Sequence, residues 1–562
     1  MKSKILLALC AVVSMSAHGV PRSEKEALQE AVSFFRNNPS VRRAAAGTGT
    51  AMEYAYSAVQ ENGEVAFYVF NRGESDGFVM VSAESNTPTI IGYSTTGRFD
   101  PTDLPTGLQA WMESYKEDIA RAAESAHAYR VTEGGYTPVA PLCTTQWGQG
   151  TPYNNLCPYY SDKRCVTGCV ATAASQIMKH YNYPVHGIGS HSYKWANANG
   201  DSVVISADFG STTYDWANMI DVYDANATET QTNAVATLMS HCGIASEMEY
   251  GESSSSAGSD DMMQALIEHV GYDKGIRNLY KDYMGASMLM SAIANDLQQG
   301  RVVYFSAKTI ENGGHAFVCD GIDSDGLLHI NWGWKGKNDG YFQLSLFNPK
   351  DQGTGGSASN KAYTEKIHAF TNIQPDADGQ YVLSLTCENI RPGQQAYHRD
   401  SAVVIYIDTL HNQSFKPWEG NLAIRVYKDQ QPYKSGRISS VANPLKVGYY
   451  RKQLRYRTSF ADYEMFPEGE YTILMGVWDV ADENTFVHIY RKWVGQWRCN
   501  MTITSDSIYF TPPTIPAPGE EQGIDDAPIA KPADPAAQKY LRDGQLFILK
   551  GKDLYDSKGQ RL

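Results

Sequence analysis

The cysteine at position 169 begins a stretch with the periodicity of a buried helix, TGCVATAASQIMKHYNYP, which spans 167–184. In the first turn of a helix, a thiol faces unpaired backbone N–H groups and the positive end of the helix dipole, and both lower its pKa. The pattern therefore favours a nucleophilic thiolate at Cys169. The helix alone does not decide the matter, because cysteine is also a common buried hydrophobic residue.

A thiolate nucleophile needs an imidazole that pairs with it and later protonates the leaving group. Among the 13 histidines, His315 is preceded by two glycines and followed by an apolar stretch typical of a strand. The glycines permit a substrate backbone to approach, and a strand would fix the imidazole. His329 lies in another predicted strand of the same region and is a rival, although a lone histidine in a strand is more often structural. His180 and His186 lie near the far end of the Cys169 helix, too far from the thiol.

The segment LLHINWGWKG supplies a third polar group and two indoles. Asn331 follows His315 by 16 residues, which is enough for the chain to return as the neighbouring antiparallel strand. There its amide would accept the imidazole N–H and hold the useful tautomer, while Trp332 or Trp334 would shield the pair from water. The alternative is that the Trp-Gly-Trp cluster only packs in the core.

Upstream of the helix, the segment TTQWGQGTPYN carries two glutamines. The side-chain amide of Gln149 is a candidate donor to an oxyanion, together with the backbone N–H of Cys169. Gln146 carries the same amide, and residue type alone does not separate the two. The resulting chain order of Gln, Cys, His and Asn is the papain-like arrangement.

The surrounding elements indicate an α+β protein followed by an all-β region. Apolar periodicity predicts three helices, over 23–36, 104–126 and 169–182. The last of these is the one strong helix predicted between 140 and 375. Beyond Pro375, short alternating strands separated by turn residues predict a β-sandwich. A Pro/Ala-rich linker at 511–538 and a short hairpin tail follow.

The start of the chain, MKSKILLALCAVVSMSAHG, has two lysines, an apolar run and then small residues, which is the layout of a secretory signal peptide. No other stretch is apolar enough to predict a transmembrane segment. A net charge of -14 argues against nucleic acid or an anionic membrane as partner. The cysteines form no CxxC pattern, so neither a metal site nor a cofactor is predicted. Cys157 and Cys165 are close enough in sequence to close a small disulfide loop in an oxidising exterior.

Four stretches, QGTPYN, TGCVATAASQIMKHYNYP, GGHAFVCDG and NWGWKGKNDGYF, resemble those of the streptopain family of bacterial cysteine peptidases. The stretch GFVMVSAESNTPTIIGYSTTGRFD is similar to the inhibitory propeptide of that family. The resemblance runs from the signal to about residue 375. It implies a papain-like fold secreted as an inactive zymogen.

By position, the resemblance makes Cys169 the nucleophile, His315 the general base and acid, and Gln149 the oxyanion donor. Trp332 takes the place of the indole beside the histidine, and Asn331 is the family position whose role is least settled. The glycine-rich stretch 351–359 corresponds to a mobile loop near the active site. The resemblance implies a signal peptide at 1–17, an inhibitory propeptide at 18–132 and a papain-like peptidase domain at 133–375. The β-sandwich at 376–510, the linker at 511–538 and the tail at 539–562 are predicted beyond it.

We therefore expect a secreted or cell-surface bacterial cysteine endopeptidase that acts on proteins or peptides and is held inert by its own propeptide until cleavage within 126–140. The tail resembles C-terminal segments of exported Bacteroidetes proteins, which indicates either surface attachment or a small accessory hairpin. Two alternative functions are compatible with this sequence. One is a thiol amidase or acyl-transferase, and the other is an inactive papain-like adhesin whose sandwich binds the ligand.

Overall fold

The computed structural model describes residues 20–38, 51–124, 135–309, 313–344, 367–429, 431–440, 444–479, 482–492, 495–511, 538–542, 545–550 and 553–555. Several predicted features lie outside the described residues: the signal peptide at 1–17, the glycine-rich stretch 351–359, nearly all of the linker, and 125–134 within the predicted cleavage region. The chain divides into two compact units, Met1–Pro518 and Gly519–Leu562.

The N-terminal part of the first unit contains two helices and a four-stranded meander. Its elements are α1 (Glu24–Asn37), β1 (Met52–Val59), β2 (Val65–Arg72), β3 (Phe78–Ser82), β4 (Ile90–Ser94) and α2 (Thr106–Glu124). A capping box fixes the start of α1, since the Ser23 hydroxyl accepts from the Glu26 N–H and the Glu26 carboxylate accepts from the Ser23 N–H. The predicted helices at 23–36 and 104–126 are confirmed within two residues.

The central part combines helices with the second half of the same sheet. Its elements are α3 (Cys169–Tyr181), β5 (Ser190–Ala196), β6 (Ser202–Asp208), α4 (Glu229–Ala245), α5 (Ser259–Ala265), β7 (Arg277–Tyr280), α6 (Lys281–Met284), α7 (Ala286–Gln298), β8 (Val303–Thr309), β9 (Gly313–Ile322), β10 (Leu328–Asn331), β11 (Gly340–Phe342) and β12 (His368–Thr371). A π-helical turn, Leu266–Val270, continues α5. The expectation of a single strong helix here was wrong, because α4 to α7 accompany α3.

One antiparallel sheet of ten strands joins the two parts, in the order β1-β2-β3-β4-β11-β10-β9-β8-β12-β7. The junction is the pairing of β4 with β11, in which Tyr93 lies opposite Tyr341 and Gly92 opposite Phe342. The phenol rings of Tyr93 and Tyr341 stack 5.0 Å apart. The N-terminal meander therefore extends the sheet that carries the predicted site.

The last part of the first unit is all-β, as predicted. Its strands are β13 (Leu385–Pro392), β14 (Ala396–His398), β15 (Val403–Asn412), β16 (Gly420–Lys428), β17 (Gln431–Ser440), β18 (Tyr450–Arg451), β19 (Leu454–Thr458), β20 (Gly469–Asp479), β21 (Asp482–Arg491), β22 (Gly495–Gln496), β23 (Arg498–Ile503) and β24 (Ser507–Thr511). Strand β21 pairs with β20 through Phe486 and His488 and then with β13 through Ile489, so it passes from one layer to the other. The strands enclose a separate hydrophobic core around Trp418 and Trp497.

The second unit contains three short antiparallel strands, β25 (Gln538–Arg542), β26 (Gln545–Lys550) and β27 (Asp553–Tyr555). The predicted terminal hairpin thus has a third strand. In the part of the chain that the structure describes, we find no helix that is long and apolar enough to cross a membrane.

Candidate active site

Cys169 is the first residue of α3, a helix that is buried along most of its length. Residues 170–178 are all buried, so the helix is anchored in the central core. Gly168 precedes it with φ at 84°, and a β-carbon there would lie 2.9 Å from Met248 Sδ. Only glycine fits this conformation and this space without strain. The sequence thus places the thiol on a rigid mount at the helix start.

The electrostatic environment of Cys169 differs from the sequence prediction. Burial raises the pKa of the thiol and outweighs the backbone N–H groups of Ala316, Val170 and Cys169 itself, which lower it. The predicted lowering of the pKa is therefore wrong for this state of the molecule. The helix start does contribute as expected, but desolvation is the larger effect.

His315 lies on β9, where it pairs across the sheet with Ala307. The next residue, Ala316, has the backbone N–H that reaches the Cys169 sulfur. Its Nδ1 is 3.2 Å from the hydroxyl of Thr106, the first residue of α2. Its Nε2 is buried without a hydrogen-bond partner among the described residues. Burial lowers the pKa of His315. Thiol and imidazole are thus brought to neighbouring positions, yet within the described chain no hydrogen bond joins them.

Asn331 ends β10 and pairs with Val318 on β9, so the predicted antiparallel return of the chain is confirmed. Its amide, however, is used locally. Nδ2 donates to the Thr145 carbonyl at 2.7 Å, and Oδ1 accepts from the Gly333 N–H at 3.0 Å. The predicted hydrogen bond to the His315 ring is not formed between these two described residues.

Trp332 is buried next to the same strand. Its indole centroid lies 4.9 Å from the Phe317 ring and 5.3 Å from the Phe342 ring. Its Nε1–H donates to the Asn338 carbonyl at 3.0 Å. The residue therefore connects β9 and β11 under the His315 end of the site.

The two glutamines are brought to the same loop region but to different neighbours. The Gln149 carbonyl accepts from the Thr167 N–H at 3.0 Å, which places its backbone two residues from Cys169. Gln146 is exposed, and its side chain lies against Gly336, where an added β-carbon would be 2.9 Å from its Cδ. The structure thus places Gln149 on the Cys169 side and Gln146 on the side of the Trp332 loop.

His329, the rival histidine, belongs to a buried charged cluster. Its Nδ1 is 2.6 Å from Asp320 Oδ1, and Asp320 is fully buried. Burial lowers the pKa of His329, but the Asp320 carboxylate beside it reverses the effect, and the net shift is upward. Burial also raises the pKa of Asp339 to about 7. Asp339 accepts the Trp332 backbone N–H at 3.0 Å, so the cluster supports the loop that carries the indole.

Three residues of α2 that the sequence did not single out lie on the site. Thr106 contacts His315 as described. A β-carbon on Gly107 would lie 2.9 Å from Trp332 Cε3, and the Trp111 ring meets the Trp332 ring edge-on with centroids 6.0 Å apart. The helix thus covers the imidazole and the indole together. A glycine one residue after the helix start was the only local signal of this close approach.

The eight described cysteines are all free thiols. Among them are Cys157 and Cys165, which are close enough in sequence to have formed a disulfide loop. Burial raises the pKa of Cys157 to about 12 and that of Cys165 to about 11. These thiols are therefore protonated and poorly reactive at neutral pH.

Comparison with known proteins gives two family matches. Residues 147–342 match the Peptidase C10 family, and residues 20–119 match the Spi protease inhibitor family. Streptopain from Streptococcus pyogenes is 34% identical over 357 residues, which cover 60% of this chain and 88% of the relative. The thiol protease/hemagglutinin PrtT from Porphyromonas gingivalis is 32% identical over 387 residues, covering 66% of this chain and 43% of that protein. A structure of a prointerpain A fragment from Prevotella intermedia superimposes with a TM-score of 0.50 at 35% identity, covering 57% of this chain and 98% of the fragment.

Proposed function

Because this chain belongs to the Peptidase C10 family, we propose that Cys169 and His315 form the catalytic pair of a secreted cysteine endopeptidase zymogen. The chain is a cysteine-type peptidase with an inhibitory propeptide domain. The observation that carries the proposed pair is the packing of β9 against the start of α3, where the Ala316 N–H reaches the Cys169 sulfur and His315 is the preceding residue.

In the proposed mechanism, the Cys169 thiolate paired with the His315 imidazolium attacks the carbonyl of a peptide bond. The Gln149 amide and the Cys169 N–H stabilise the oxyanion of the tetrahedral intermediate. His315 then protonates the departing amine, which leaves a thioester on Cys169. Water, deprotonated by His315, hydrolyses the thioester and restores the thiolate. Trp332 shields the imidazole from solvent, and Asn331 holds the loop at the end of β10 in place.

In the proposed zymogen, the propeptide keeps this pair neutral and occupies one nitrogen of the imidazole. Thr106 occupies Nδ1 of the imidazole, and α2 packs on Trp332. With the pKa of the thiol raised from 9.0 and that of the imidazole lowered from 6.5, both groups are neutral at pH 7. Cleavage within 126–140 and departure of α2 would free Nδ1 and rehydrate the site. Both changes favour the ion pair.

The remaining parts of the proposal concern location and substrate. Residues 1–17 direct export, 18–132 form the propeptide, 133–375 the peptidase, and 376–510 the accessory sandwich. The tail 539–562, which follows the linker 511–538, either attaches the exported enzyme to the cell surface or forms a small accessory hairpin on a free enzyme. The substrates are extracellular proteins or peptides.

The proposal predicts that Cys169→Ala abolishes hydrolysis of casein under reducing conditions. The matched control is Cys143→Ala, which removes another half-buried thiol of the same domain and keeps activity. N-terminal sequencing of any shortened wild-type product reports self-processing and the mature start together. Hydrolysis of casein by the Cys169→Ala protein would contradict the assignment. Transfer to an added amine without net hydrolysis would instead identify an acyl-transferase.

A further inference from the structure

The accessory β-sandwich carries a strongly basic stretch in an otherwise acidic protein. Between Asp429 and Asp462 there are seven basic residues and no acidic one, whereas the whole chain has a net charge of -14. The seven are Lys434, Arg437, Lys446, Arg451, Lys452, Arg455 and Arg457. Such a reversal of charge sign creates a local attraction for anions that the net charge conceals.

Two of these arginines project from the edge strand β19. Arg455 and Arg457 are exposed, while Tyr456 between them is buried, so both side chains lie on the outer face. They pair in register with Tyr406 and Val404 of β15. Neither arginine has an ion-pair partner among the described residues. Their charges are therefore available to a ligand.

Exposed aromatic rings continue this surface next to β18. Tyr449 and Tyr450 are 63% and 50% exposed. Lys446 Nζ lies 6.0 Å from the centre of the Tyr449 ring, and Lys452 Nζ lies 5.3 Å from the centre of the Tyr450 ring. Each tyrosine is thus at least half exposed and has a lysine ammonium over one face of its ring. Large exposed aromatics next to cations are typical of binding surfaces.

Acidic groups also border the surface: Glu388 acts on His411, whose ring lies 5.2 Å from the Tyr450 ring. Asp408 on β15 lies 3.8 Å from Arg391, whose guanidinium stacks over the Tyr406 ring. Arg391 is therefore neutralised, and the available charges are those of β19 and of the two lysines. Cations on an edge strand also deter pairing with other strands. That role does not require two exposed tyrosines, each with its own lysine.

We propose that this basic surface, defined as Lys446, Tyr449, Tyr450, Lys452, Arg455 and Arg457, binds an acidic polysaccharide. Tyrosine faces stack on the apolar faces of sugar rings, while the spaced cations pair with carboxylate or sulfate groups. Nucleic acid is the less suitable polyanion, because its backbone charges lie about 1.7 Å apart, whereas the four cations of this surface are interspersed with two tyrosines. Binding would hold the peptidase on a glycan-coated surface.

The experiment is chromatography and titration with heparin, using the full chain with Cys169→Ala to prevent self-cleavage. We expect the parent chain to be retained on heparin at low salt. The double variant Arg455→Glu/Arg457→Glu should lose at least about tenfold in affinity, because two cations that release counterions on binding are removed. Tyr449→Ala/Tyr450→Ala should also weaken binding without a change in charge. The control Lys163→Glu/Lys194→Glu alters two exposed lysines elsewhere by the same charge and should bind like the parent.

Three outcomes would overturn the proposal: no retention of the parent chain, equal retention of all variants, or competition by double-stranded DNA as strong as by heparin. Neutral dextran should not compete. Arg455→Glu/Arg457→Glu changes an edge strand and could disturb folding. The milder variant Arg455→Gln/Arg457→Gln, with a circular dichroism spectrum of each variant, distinguishes lost binding from lost folding.

Discussion

At the scale of single residues, both members of the proposed catalytic pair, Cys169 and His315, are held in their neutral forms. Burial accounts for both shifts, since it raises the pKa of Cys169 and lowers that of His315. The Thr106 hydroxyl adds a specific contact at Nδ1 of the imidazole. The proposed inhibition therefore has two components: burial of the pair and occupation of one ring nitrogen.

Thr106→Val tests the second component, because it removes the hydroxyl and nearly keeps the volume. One neutral hydrogen bond contributes about 1 kcal/mol, so we expect thiol-directed alkylation of Cys169 in the intact chain to accelerate about fivefold. Thr102→Val is the control, as its hydroxyl bonds only to Asp100 within the propeptide. Equal alkylation rates in the two variants would show that the Thr106 hydroxyl does not restrain the site.

Asp339 predicts a dependence of stability on pH. Its folded pKa of about 7 lies above its usual value of 3.8, so its contribution to stability is complete below pH 3.8 and is lost as the pH rises through 7. Asp339→Asn mimics the protonated acid and keeps an oxygen for the Trp332 N–H. In the Cys169→Ala background, the Tm of this variant should therefore increase relative to its parent between pH 5 and pH 8.

The control is Asp162→Asn, which changes an exposed carboxylate. Its Tm should stay parallel to that of the parent over the same range. A difference in Tm between Asp339→Asn and its parent that is constant with pH would contradict the raised pKa. His329 is coupled to this titration, because the Asp339 carboxylate helps to raise its pKa and Asp339→Asn removes that contribution.

At the scale of elements, helix α2 positions the inhibitory contacts. Its first turn lies on Trp332, and Gly107 leaves no room there for a side chain. Packing of α2 at this point is therefore tight, and it decides how easily the propeptide dissociates.

Gly107→Ala should shorten the lag before self-processing of the zymogen. Overpacking costs about 1–3 kcal/mol, whereas alanine in a helix is intrinsically favoured over glycine by up to about 1 kcal/mol. A faster onset of casein hydrolysis would thus come from the contact with Trp332 and not from helix propensity. Glu113→Ala, an exposed change on the same helix, should leave the lag unchanged. A longer lag in Gly107→Ala would mean that the helix effect is the larger one.

Local patterns made part of this architecture predictable. The periodicity of α3 and the apolar run after His315 identified the two elements that carry the pair, because both patterns depend on near neighbours in sequence. Helix α4 was missed, since its buried residues surround the helix and leave no amphipathic stripe. Its capping box of Thr228 and Gln231 was nevertheless visible in the sequence.

Other features could not be derived from local patterns. Thr106 and His315 are 209 positions apart, and their contact depends on how the meander joins the sheet. Asp339 lies in a stretch, KGKNDG, with the composition of an exposed turn, yet it is half-buried and accepts the Trp332 backbone N–H. The balance between burial and helix dipole at Cys169 likewise depends on what covers the site. The sequence indicates the helix dipole at Cys169, but it does not indicate which residues bury the thiol.

At the scale of the whole molecule, the propeptide is part of the sheet of the peptidase. Strand β4 pairs with β11, and the Ser94 hydroxyl donates to the Asp339 carbonyl at 2.6 Å. Release of the propeptide would leave β11 as an edge strand and uncover Trp332 and His315 in one step. In the proposed mechanism, activation and exposure of the site are therefore the same structural event.

The most direct measurement is the rate at which a thiol-directed epoxide labels each cysteine, read by peptide mass spectrometry in the intact chain and in the processed product. We predict rapid labelling of Cys169 alone after processing, slow labelling of Cys169 before it, and loss of rapid labelling in processed His315→Ala. Labelling of Cys169 at the same rate before and after processing, or preferential labelling of another cysteine, would contradict the account.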